Sequence, residues 1–113
     1  MNVHSELGNG FQEIIYQRSL AAEFELMGIN FGKEIGVEVF YKNIKVGRRR
    51  VDFLIEGKIC VEIKALVNLD SVHLAQAKNY LEAFNLEVGL LINFGAKSLE
   101  WKRLYNNKFY KKT

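Results

Sequence analysis

The sequence predicts one α/β domain built on a mixed β-sheet of four to five strands, flanked by two main helices. Three observations predict this fold class. Residues 11–27 have helical periodicity, three short strand-like runs follow them, and a second helical stretch precedes a nearly continuous apolar run at residues 87–93. The resulting order is αβββαβ, in which hairpins come first and a helical crossover second, so the sheet should contain antiparallel and parallel pairs.

Both helices are predicted from their periodicity and from the residues at their ends. Gly8-Asn9-Gly10 precedes the first helix, and Gly28 follows it at the C′ position, where a left-handed backbone favours glycine. The second helix is predicted over residues 71–84, with Asp70 or Ser71 as its N-cap.

The strands are predicted from alternation and from short β-branched runs. Residues 35–41 alternate with period two, and residues 43–47 are predicted to turn. Residues 50–55 and 59–65 form two apolar strands joined by a hairpin loop at 56–58. A strand buried on both faces is predicted at 87–93 and a last short strand at 99–105. The polar and basic residues 106–113 predict a flexible tail.

Length and composition limit the class of protein. The 113 residues suit one domain, residues 1–113, and the composition of 49% hydrophobic and 26% charged residues argues against disorder. Cys60 is the single cysteine and lies in an apolar run, which excludes a disulfide framework and predicts a small buried side chain. No signal peptide is visible and no apolar run approaches the roughly 20 residues that span a bilayer. We therefore predict a cytoplasmic protein without a membrane partner.

Charged residues interrupt two strands that otherwise suit a core. Along residues 59–64 the odd-numbered positions are apolar and share one face, whereas Glu62 and Lys64 share the other face with Cys60. Asp52 interrupts the preceding apolar strand. Charges are rarely placed in such strands unless they are paired or bind a metal ion.

The register of the hairpin decides whether the two acids meet. If Ile55 pairs with Ile59, the three-residue loop 56–58 places Asp52 opposite Glu62, with Cβ atoms about 4.5–5.5 Å apart. A shift by one residue would turn Asp52 to the other face. Two such charges repel, so either one carboxyl is protonated or a cation lies between them. Carboxylate oxygens suit Mg²⁺ or Mn²⁺, and sites of this kind usually also bind substrate phosphate.

Each predicted helix carries a polar residue within an apolar stripe. Glu13 falls in the stripe of the first helix and Gln76 in that of the second, and each needs a partner that a shared polar site would supply. The stripes consist of Tyr16, Leu20, Phe24 and Met27 in the first helix and of Leu69, Val72, Tyr80 and Ala83 in the second. For any one of these polar residues a structural role is the simpler interpretation. Taken together, five residues favour a site: Asp52, Glu62, Lys64, Glu13 and Gln76.

The whole chain resembles a known family. Residues 10–16, Gly-Phe-Gln-Glu-Ile-Ile-Tyr, match the Gly-x-x-Glu-x-x-Tyr signature of the GxxExxY proteins. Further similarities lie at Val51-Asp52-Phe53, Glu62-Ile63-Lys64, Gln76 with Tyr80, residues 89–95 and Lys102-Arg103. That family is placed in the PD-(D/E)xK nuclease superfamily, so the resemblance implies a restriction-endonuclease-like fold. The sequence departs from the superfamily pattern at Val51, where a proline commonly precedes the aspartate.

The resemblance also implies roles for individual residues. Asp52 and Glu62 correspond to the metal-binding acids, and Lys64 to the lysine that positions or activates the attacking water. Glu13 and Gln76 correspond to residues that supplement the site from the two helices. These are the five residues that the patterning of the chain selects.

The leading hypothesis is Mg²⁺- or Mn²⁺-dependent hydrolysis of phosphodiester bonds in DNA or RNA, with the backbone carbonyl of Ile63 as a further metal ligand. Basic residues would approach the phosphates and make binding sensitive to salt. They are Arg48, Arg49, Arg50, Lys102 and Arg103. The net charge of +3 permits this partner without requiring it, and a homodimer would give a chain of this size more surface for gripping a duplex.

Two alternatives stay open. In the first, the domain is a non-catalytic module that keeps the nuclease fold and binds nucleic acid or protein. In the second, the domain is a scaffold in which Asp52, Glu62 and Lys64 form an internal salt-bridge network, an arrangement that gains little net stability when it is buried.

Overall fold

The computed structural model describes residues 2–111. The elements in chain order are α1 (Asn2–Leu7), α2 (Glu13–Leu26), β1 (Phe31–Tyr41), β2 (Ile44–Ile55), β3 (Ile59–Lys64), α3 (Ser71–Phe84), β4 (Val88–Asn93) and β5 (Glu100–Tyr105). Within these residues, no helix combines the length and the apolarity needed to cross a membrane. The predicted αβββαβ order is confirmed, and the last short strand predicted at residues 99–105 is present as β5. The short helix α1, which precedes this order, was not predicted.

The strands form one mixed sheet in the order β1-β2-β3-β4-β5. β3 and β4 are parallel, because α3 connects them as a crossover, and the other neighbouring strands are antiparallel. The prediction of a mixed sheet is therefore confirmed.

Helices cover both faces of the sheet and form two apolar clusters with it. On one face, α1 and α2 pack against the central strands through Val3, Tyr16, Leu20, Ala21, Phe53, Val61, Ile63, Ile92 and Phe94. On the other face, Leu81 of α3 packs against Val51 and Cys60. Cys60 is buried as predicted, and burial raises the pKa of its thiol.

The hairpin of β1 and β2 is longer than the sequence predicts. Lys42 and Asn43 both have positive φ, 49° and 65°, which is the backbone of a two-residue type I′ turn. Tyr41 pairs directly with Ile44, so residues 44–47, predicted as a turn, belong to β2. The prediction was wrong here because a lysine at the first turn position is an unusual signal for positive φ.

The helix ends largely follow the predicted signals. Gly28 has φ 71° after α2, and Asp70 is the N-cap of α3, where its carboxylate accepts the N–H of Val72 at 3.1 Å. The N–H of Asp70 donates to Nδ1 of His73 at 3.1 Å, which completes a capping box. Met27, assigned to the apolar stripe of the first helix, is instead the exposed C-cap residue.

The segment predicted to be a flexible tail, residues 106–113, is attached to the body of the domain as far as Tyr110. The side chain of Asn106 is buried and donates to the carbonyl of Leu81 at 3.2 Å. The N–H of Tyr110 donates to Oδ1 of Asn85 at 3.1 Å, and Nδ2 of Asn85 donates back to the carbonyl of Tyr110 at 2.9 Å. These bonds hold the segment to the end of α3, and residues 112 and 113 lie outside the described residues.

Candidate active site

The hairpin between β2 and β3 has the predicted register. Ile55 pairs with Ile59 across the loop 56–58, and the ladder continues to the pair of Phe53 and Val61. Beyond that pair the two strands no longer form main-chain ladder bonds with each other. Asp52 and Glu62 follow on the two sides of this opening.

The two acids occupy the opening through reciprocal hydrogen bonds. The N–H of Ile63 donates to Oδ2 of Asp52 at 2.7 Å, and the N–H of Asp52 donates to Oε1 of Glu62 at 3.3 Å. Each carboxylate thus contacts the main chain of the opposite strand. The convergence of Asp52 and Glu62 is as the odd-length loop predicts.

The carbonyl of Ile63 faces the same opening. An extended residue directs its N–H and its C=O toward the same neighbouring strand. The N–H of Ile63 bonds Asp52, whereas the carbonyl of the next residue, Lys64, accepts the N–H of Phe94 at 2.8 Å on the β4 side. A main-chain oxygen therefore joins the two carboxylates.

The electrostatics of the site favour added positive charge. Burial, and then the charge of Asp52, raise the pKa of Glu62 to about 8, and the residue Glu62 is 6% exposed. Burial also raises the pKa of Asp52, although the Ile63 hydrogen bond and the charge of Lys64 oppose the change. The pKa of Glu13 is raised by desolvation and by Asp52. Three carboxyls that resist ionisation together would ionise more readily beside a cation.

Lys64 lies near all three carboxyls without forming an ion pair with them. Its charge lowers the pKa of Asp52, Glu62 and Glu13. Within residues 2–111, however, no nitrogen of Lys64 lies within 4.0 Å of a carboxylate oxygen. The internal salt-bridge network of the scaffold hypothesis is therefore not formed in this part of the chain.

Tyr16 fixes the start of α2 and thereby the position of Glu13. The Tyr16 hydroxyl donates to the carbonyl of Gly8 at 2.6 Å and accepts the N–H of Phe11 at 3.1 Å. Its ring stacks on Phe94 with centroids 4.8 Å apart. Glu13 lies about one turn earlier on the same side of the helix. Of the two motif residues, Tyr16 therefore holds the helix in place, and Glu13 lies at the site.

Glu13 and Asp52 line one open hollow of about 310 Å³. The remaining lining residues are Ile14, Gln17, Glu34, Arg50 and Val51. Glu13 is exposed as a residue although its carboxyl is partly desolvated, so it does not have the buried partner that its place in an apolar stripe suggests. Arg50 brings one guanidinium to the rim and lies 4.0 Å from a carboxylate oxygen of Glu34.

Gln76 lies in a separate hollow between α3 and the β1–β2 hairpin. Arg49 and Tyr80 line the same hollow, with the Arg49 guanidinium 5.7 Å from the centre of the Tyr80 ring. The residues that α3 buries are Ala77 and Leu81, so the buried face is displaced by one position from the predicted stripe. No hydrogen bond joins Gln76 to Asp52 or Lys64 in the described part of the chain. The catalytic role of Gln76 stays a prediction.

The basic residues form two separate groups. Arg48, Arg49 and Arg50 lie on β2, next to the site, whereas Lys102 and Arg103 lie on β5, the opposite edge of the sheet. Lys102 pairs with Leu91, which pairs with Glu62, so Lys102 shares a row and a face with Glu62 about 10 Å away. Arg103 projects from the other face.

A buried hydrogen-bond centre that the sequence analysis did not identify orders the segment after Lys64. Asn93 is fully buried, and its amide group exchanges hydrogen bonds with both main-chain groups of Leu66, at 2.8 and 2.9 Å. Nδ2 also donates to Glu100 at 2.8 Å, and Oδ1 also accepts the N–H of Gly95 at 3.1 Å. The available signal was an amide residue at the end of an otherwise apolar strand.

The donor set at the opening fits a hard divalent cation. Within residues 2–111, no donor contacts the second oxygen of Asp52 or of Glu62. No three His, Cys, Asp or Glu side chains of the described chain come close enough to enclose an ion by themselves. Mg²⁺ is commonly bound by one or two carboxylates with several waters, so two acids and the Ile63 carbonyl suit it.

Comparison with a solved structure agrees with this architecture. The crystal structure of SSO0001 superposes with a TM-score of 0.68 at 22% sequence identity, over 83% of this chain and 50% of that chain. At this identity the likeness shows the fold alone, and the present chain spans about half the length of the chain it matches.

Sequence comparison identifies the family. No match was found among curated proteins. A family model described as the PD-(D/E)XK nuclease superfamily matches residues 1–104, which include all five candidate site residues. The chain therefore belongs to the PD-(D/E)XK nuclease superfamily.

Proposed function

We propose that the protein is a metal-dependent nuclease that hydrolyses phosphodiester bonds in DNA or RNA. The observation that carries the proposal is the convergence of Asp52 and Glu62 at the end of the β2–β3 ladder, with Lys64 beside them. Superfamily membership supports a nucleic-acid substrate. The Gly-x-x-Glu-x-x-Tyr signature at residues 10–16 further supports membership of the GxxExxY group.

Asp52 and Glu62 would hold Mg²⁺ or Mn²⁺ through the carboxylate oxygens that no protein donor contacts, with the Ile63 carbonyl as a third ligand. An ion bound there supplies charge for the developing phosphorane and lowers the pKa of a coordinated water. The reciprocal main-chain bonds hold both carboxylates in place before substrate arrives, which reduces the reorganisation needed for reaction.

Lys64 and Glu13 would act on the water and the phosphate. The Lys64 ammonium donates hydrogen bonds that orient the attacking water and offset negative charge on the phosphate oxygens. Glu13, at the exposed rim, accepts a hydrogen bond from water in the outer shell, and Gln76 would do so after a small movement of its side chain. As water adds to phosphorus, the bond to one ester oxygen breaks and that oxygen takes up a proton.

The basic residues would hold the nucleic-acid backbone on both sides of the site. Arg48 and Arg50 would approach from the face of β2 that adjoins the site, and Lys102 from β5. Arg49 and Arg103 project from the opposite faces of these two strands and would contact phosphates farther along the nucleic acid. Contacts with phosphates do not read bases, so we expect little sequence preference and strong dependence on salt.

Cleavage assays test the proposal directly. Purified protein with Mg²⁺ or Mn²⁺ should cleave single- or double-stranded DNA or RNA, and Asp52→Ala and Lys64→Ala should each abolish most of the activity. Glu25→Gln removes an exposed charge of α2 away from the site and should keep it. Unchanged activity in the first two variants would overturn the assignment. Calorimetric metal binding without cleavage would instead favour the non-catalytic module.

Two properties stay predictions from the sequence. A homodimer would extend the nucleic-acid surface, and sedimentation measures it. A cytoplasmic location is consistent with a single cysteine that is buried and unpaired, and fractionation of cells measures it.

A further inference from the structure

The outer part of the β1–β2 hairpin extends beyond the rest of the sheet. β2 pairs with β3 only from Phe53 to Ile55, whereas it pairs with β1 along almost its full length. Residues 44–50 of β2 are all exposed. We call residues 36–50 the arm, a two-stranded ribbon whose inner end adjoins Asp52.

Positive charge is concentrated in the arm. It contains five basic residues and a single acidic one, a formal charge of +4, which exceeds the +3 of the whole chain. The remaining chain therefore has a slight excess of negative charge. A polyanion that reaches the acid site has the arm as its main attractive surface.

The charges on one face of the arm form a line that starts at the site. Arg50 lines the hollow that contains Glu13 and Asp52. Arg48 lies over Gly36, where an added Cβ would be only 2.5 Å from the guanidinium. Lys45 comes next along the line toward the tip of the arm.

Lys45 lies on the same face as Arg48. Glu38 pairs with Arg48 across the two strands, and the ammonium of Lys45 lies 3.1 Å from a carboxylate oxygen of Glu38. Arg49 projects from the opposite face, over the ring of Tyr80. The face that adjoins the site thus presents Arg50, Arg48 and Lys45 in order.

The tip of the arm exposes apolar rings among these cations. Phe40 is 57% exposed, and it pairs with Lys45, so its ring continues the line of basic residues. Tyr41 is 62% exposed, and Ile44 is 65% exposed. A row of cations that ends at an exposed aromatic ring suits single-stranded nucleic acid, because the cations contact the phosphates and the ring stacks on a base.

We propose that an unpaired strand of nucleic acid leaves the acid site along Arg50, Arg48 and Lys45 and stacks a base on Phe40. The proposal rests on the proposed nuclease function and specifies its substrate as a strand unpaired next to the scissile phosphate. Glu34 is the β1 residue beside Asp52, and Phe40 lies six residues farther along β1. The distance along the strand is about 20 Å, which equals the length of about six stacked nucleotides.

A single strand suits the arm better than a duplex. One face carries the line of cations, which matches one phosphate backbone, whereas a duplex presents two. Stacking on Phe40 also requires a base that is out of a double helix. Glu38 interrupts the line and should weaken binding, because it neutralises Lys45 in an exposed and easily broken ion pair.

Binding measurements on the full chain test the proposal. All variants carry Asp52→Asn to prevent cleavage, and the probes are fluorescent DNA and RNA strands of about 20 nucleotides and the matching duplex. Arg48→Gln and Phe40→Ala should weaken binding of the strand, by about fivefold or more for Phe40→Ala. Arg48→Gln should also reduce the salt slope by about 0.7. Glu38→Gln should strengthen binding.

Two controls away from the arm accompany these variants, one for the loss of a charge and one for the loss of an exposed apolar side chain. Lys58→Gln removes a charge in the loop at the far end of β3, and Leu26→Ala removes an apolar side chain that is 83% exposed on α2. Both should bind the strand as the parent does. The proposal is overturned if Arg48→Gln and Phe40→Ala behave like these controls, or if the duplex binds as tightly as the strand. If binding of the strand depends on the arm but the protein with Asp52 intact does not cleave it, only the proposed hydrolytic function is refuted, and the proposal for the arm stands.

Discussion

Asp52 and Glu62 each use one carboxylate oxygen to accept an N–H from the opposite strand, at 2.7 and 3.3 Å. Main-chain groups therefore fix the direction of both side chains more firmly than a flexible lysine or arginine would. The same contacts leave the second oxygen of each acid without a donor in residues 2–111. The ligands of the proposed ion are thus oriented before the ion binds, which is how rigid elements make a site accurate.

The raised pKa of Glu62 predicts how stability depends on pH. Burial raises this pKa from 4.5 to about 8, so between these values the folded protein binds more protons than the unfolded chain does. The free energy of unfolding should therefore fall as pH rises from about 4.5 through about 8, and should stay constant above that range. The total fall is about 1.4 kcal/mol for each unit by which folding raises the pKa. Asp52 and Glu13 act in the same direction.

Chemical denaturation of the metal-free protein at several pH values measures this dependence. Glu62→Gln removes the group with the largest rise in pKa and should reduce the slope, leaving the smaller dependence that Asp52 and Glu13 cause. Stability that stays constant or increases between pH 5 and 8 in the parent would contradict the described environment of Glu62.

Lys64 should have opposite effects on metal binding and on turnover. Its charge acts on both metal-binding acids without pairing with them, so Lys64→Gln should bind Mn²⁺ at least as tightly as the parent. The same variant loses the group that orients water and offsets phosphate charge, so kcat should fall on the order of 100-fold or more. Calorimetry and single-turnover cleavage measure the two effects. A loss of metal affinity that accounts for the loss of activity would show that Lys64 instead supports the metal ligands.

At the scale of elements, two loops determine where the helices meet the site. Tyr16 closes the turn between α1 and α2, and Asn93 holds the segment after β3. Gly95 lies against that segment so closely that an added Cβ would overlap the main chain of Leu66. The backbone next to Lys64 thus depends on a glycine that lies two residues after the end of β4.

Gly95→Ala should destabilise the domain, whereas Gly10→Ala should not. An added Cβ at Gly95 must displace main chain, which typically costs about 1–3 kcal/mol, whereas one at Gly10 meets no atom within 4 Å. Denaturant unfolding of both variants measures the difference. Equal stability of the two variants would contradict this expectation and show that the Gly95 loop shifts easily to make room for a Cβ. Gly10→Ala serves as the control because Gly10, although it belongs to the signature at residues 10–16, has open space around it.

The same elements show what sequence patterns can predict. Alternation in β3 and an odd loop length determined the register of β2 and β3, because a one-residue shift would expose an entire apolar face. The turn at Lys42 was missed because its residue type only weakly indicates positive φ. The buried face of α3 was predicted one position away, since Gln76 and Ala77 both fit a helical stripe and only packing against the sheet selects between them.

At the scale of the whole molecule, the fold separates a layered body from a charged arm. The body is a three-layer sandwich that buries both faces of the central strands. The arm carries more positive charge than the complete chain. The site lies where the two parts meet, so a substrate held by the arm reaches Asp52 at its inner end. This division could not be predicted from the sequence, because the run Arg48-Arg49-Arg50 does not indicate which side chains share a face with the acids.

The proposed hydrolysis depends on one ion held between Asp52 and Glu62. A crystal soaked in Mn²⁺ tests this most directly, since the anomalous signal of manganese locates the ion without reference to activity. We expect a single strong peak in the opening between β2 and β3, with oxygens of Asp52, Glu62 and Ile63 at about 2.0–2.4 Å from it. A well-ordered, fully soaked crystal without a peak there would contradict it.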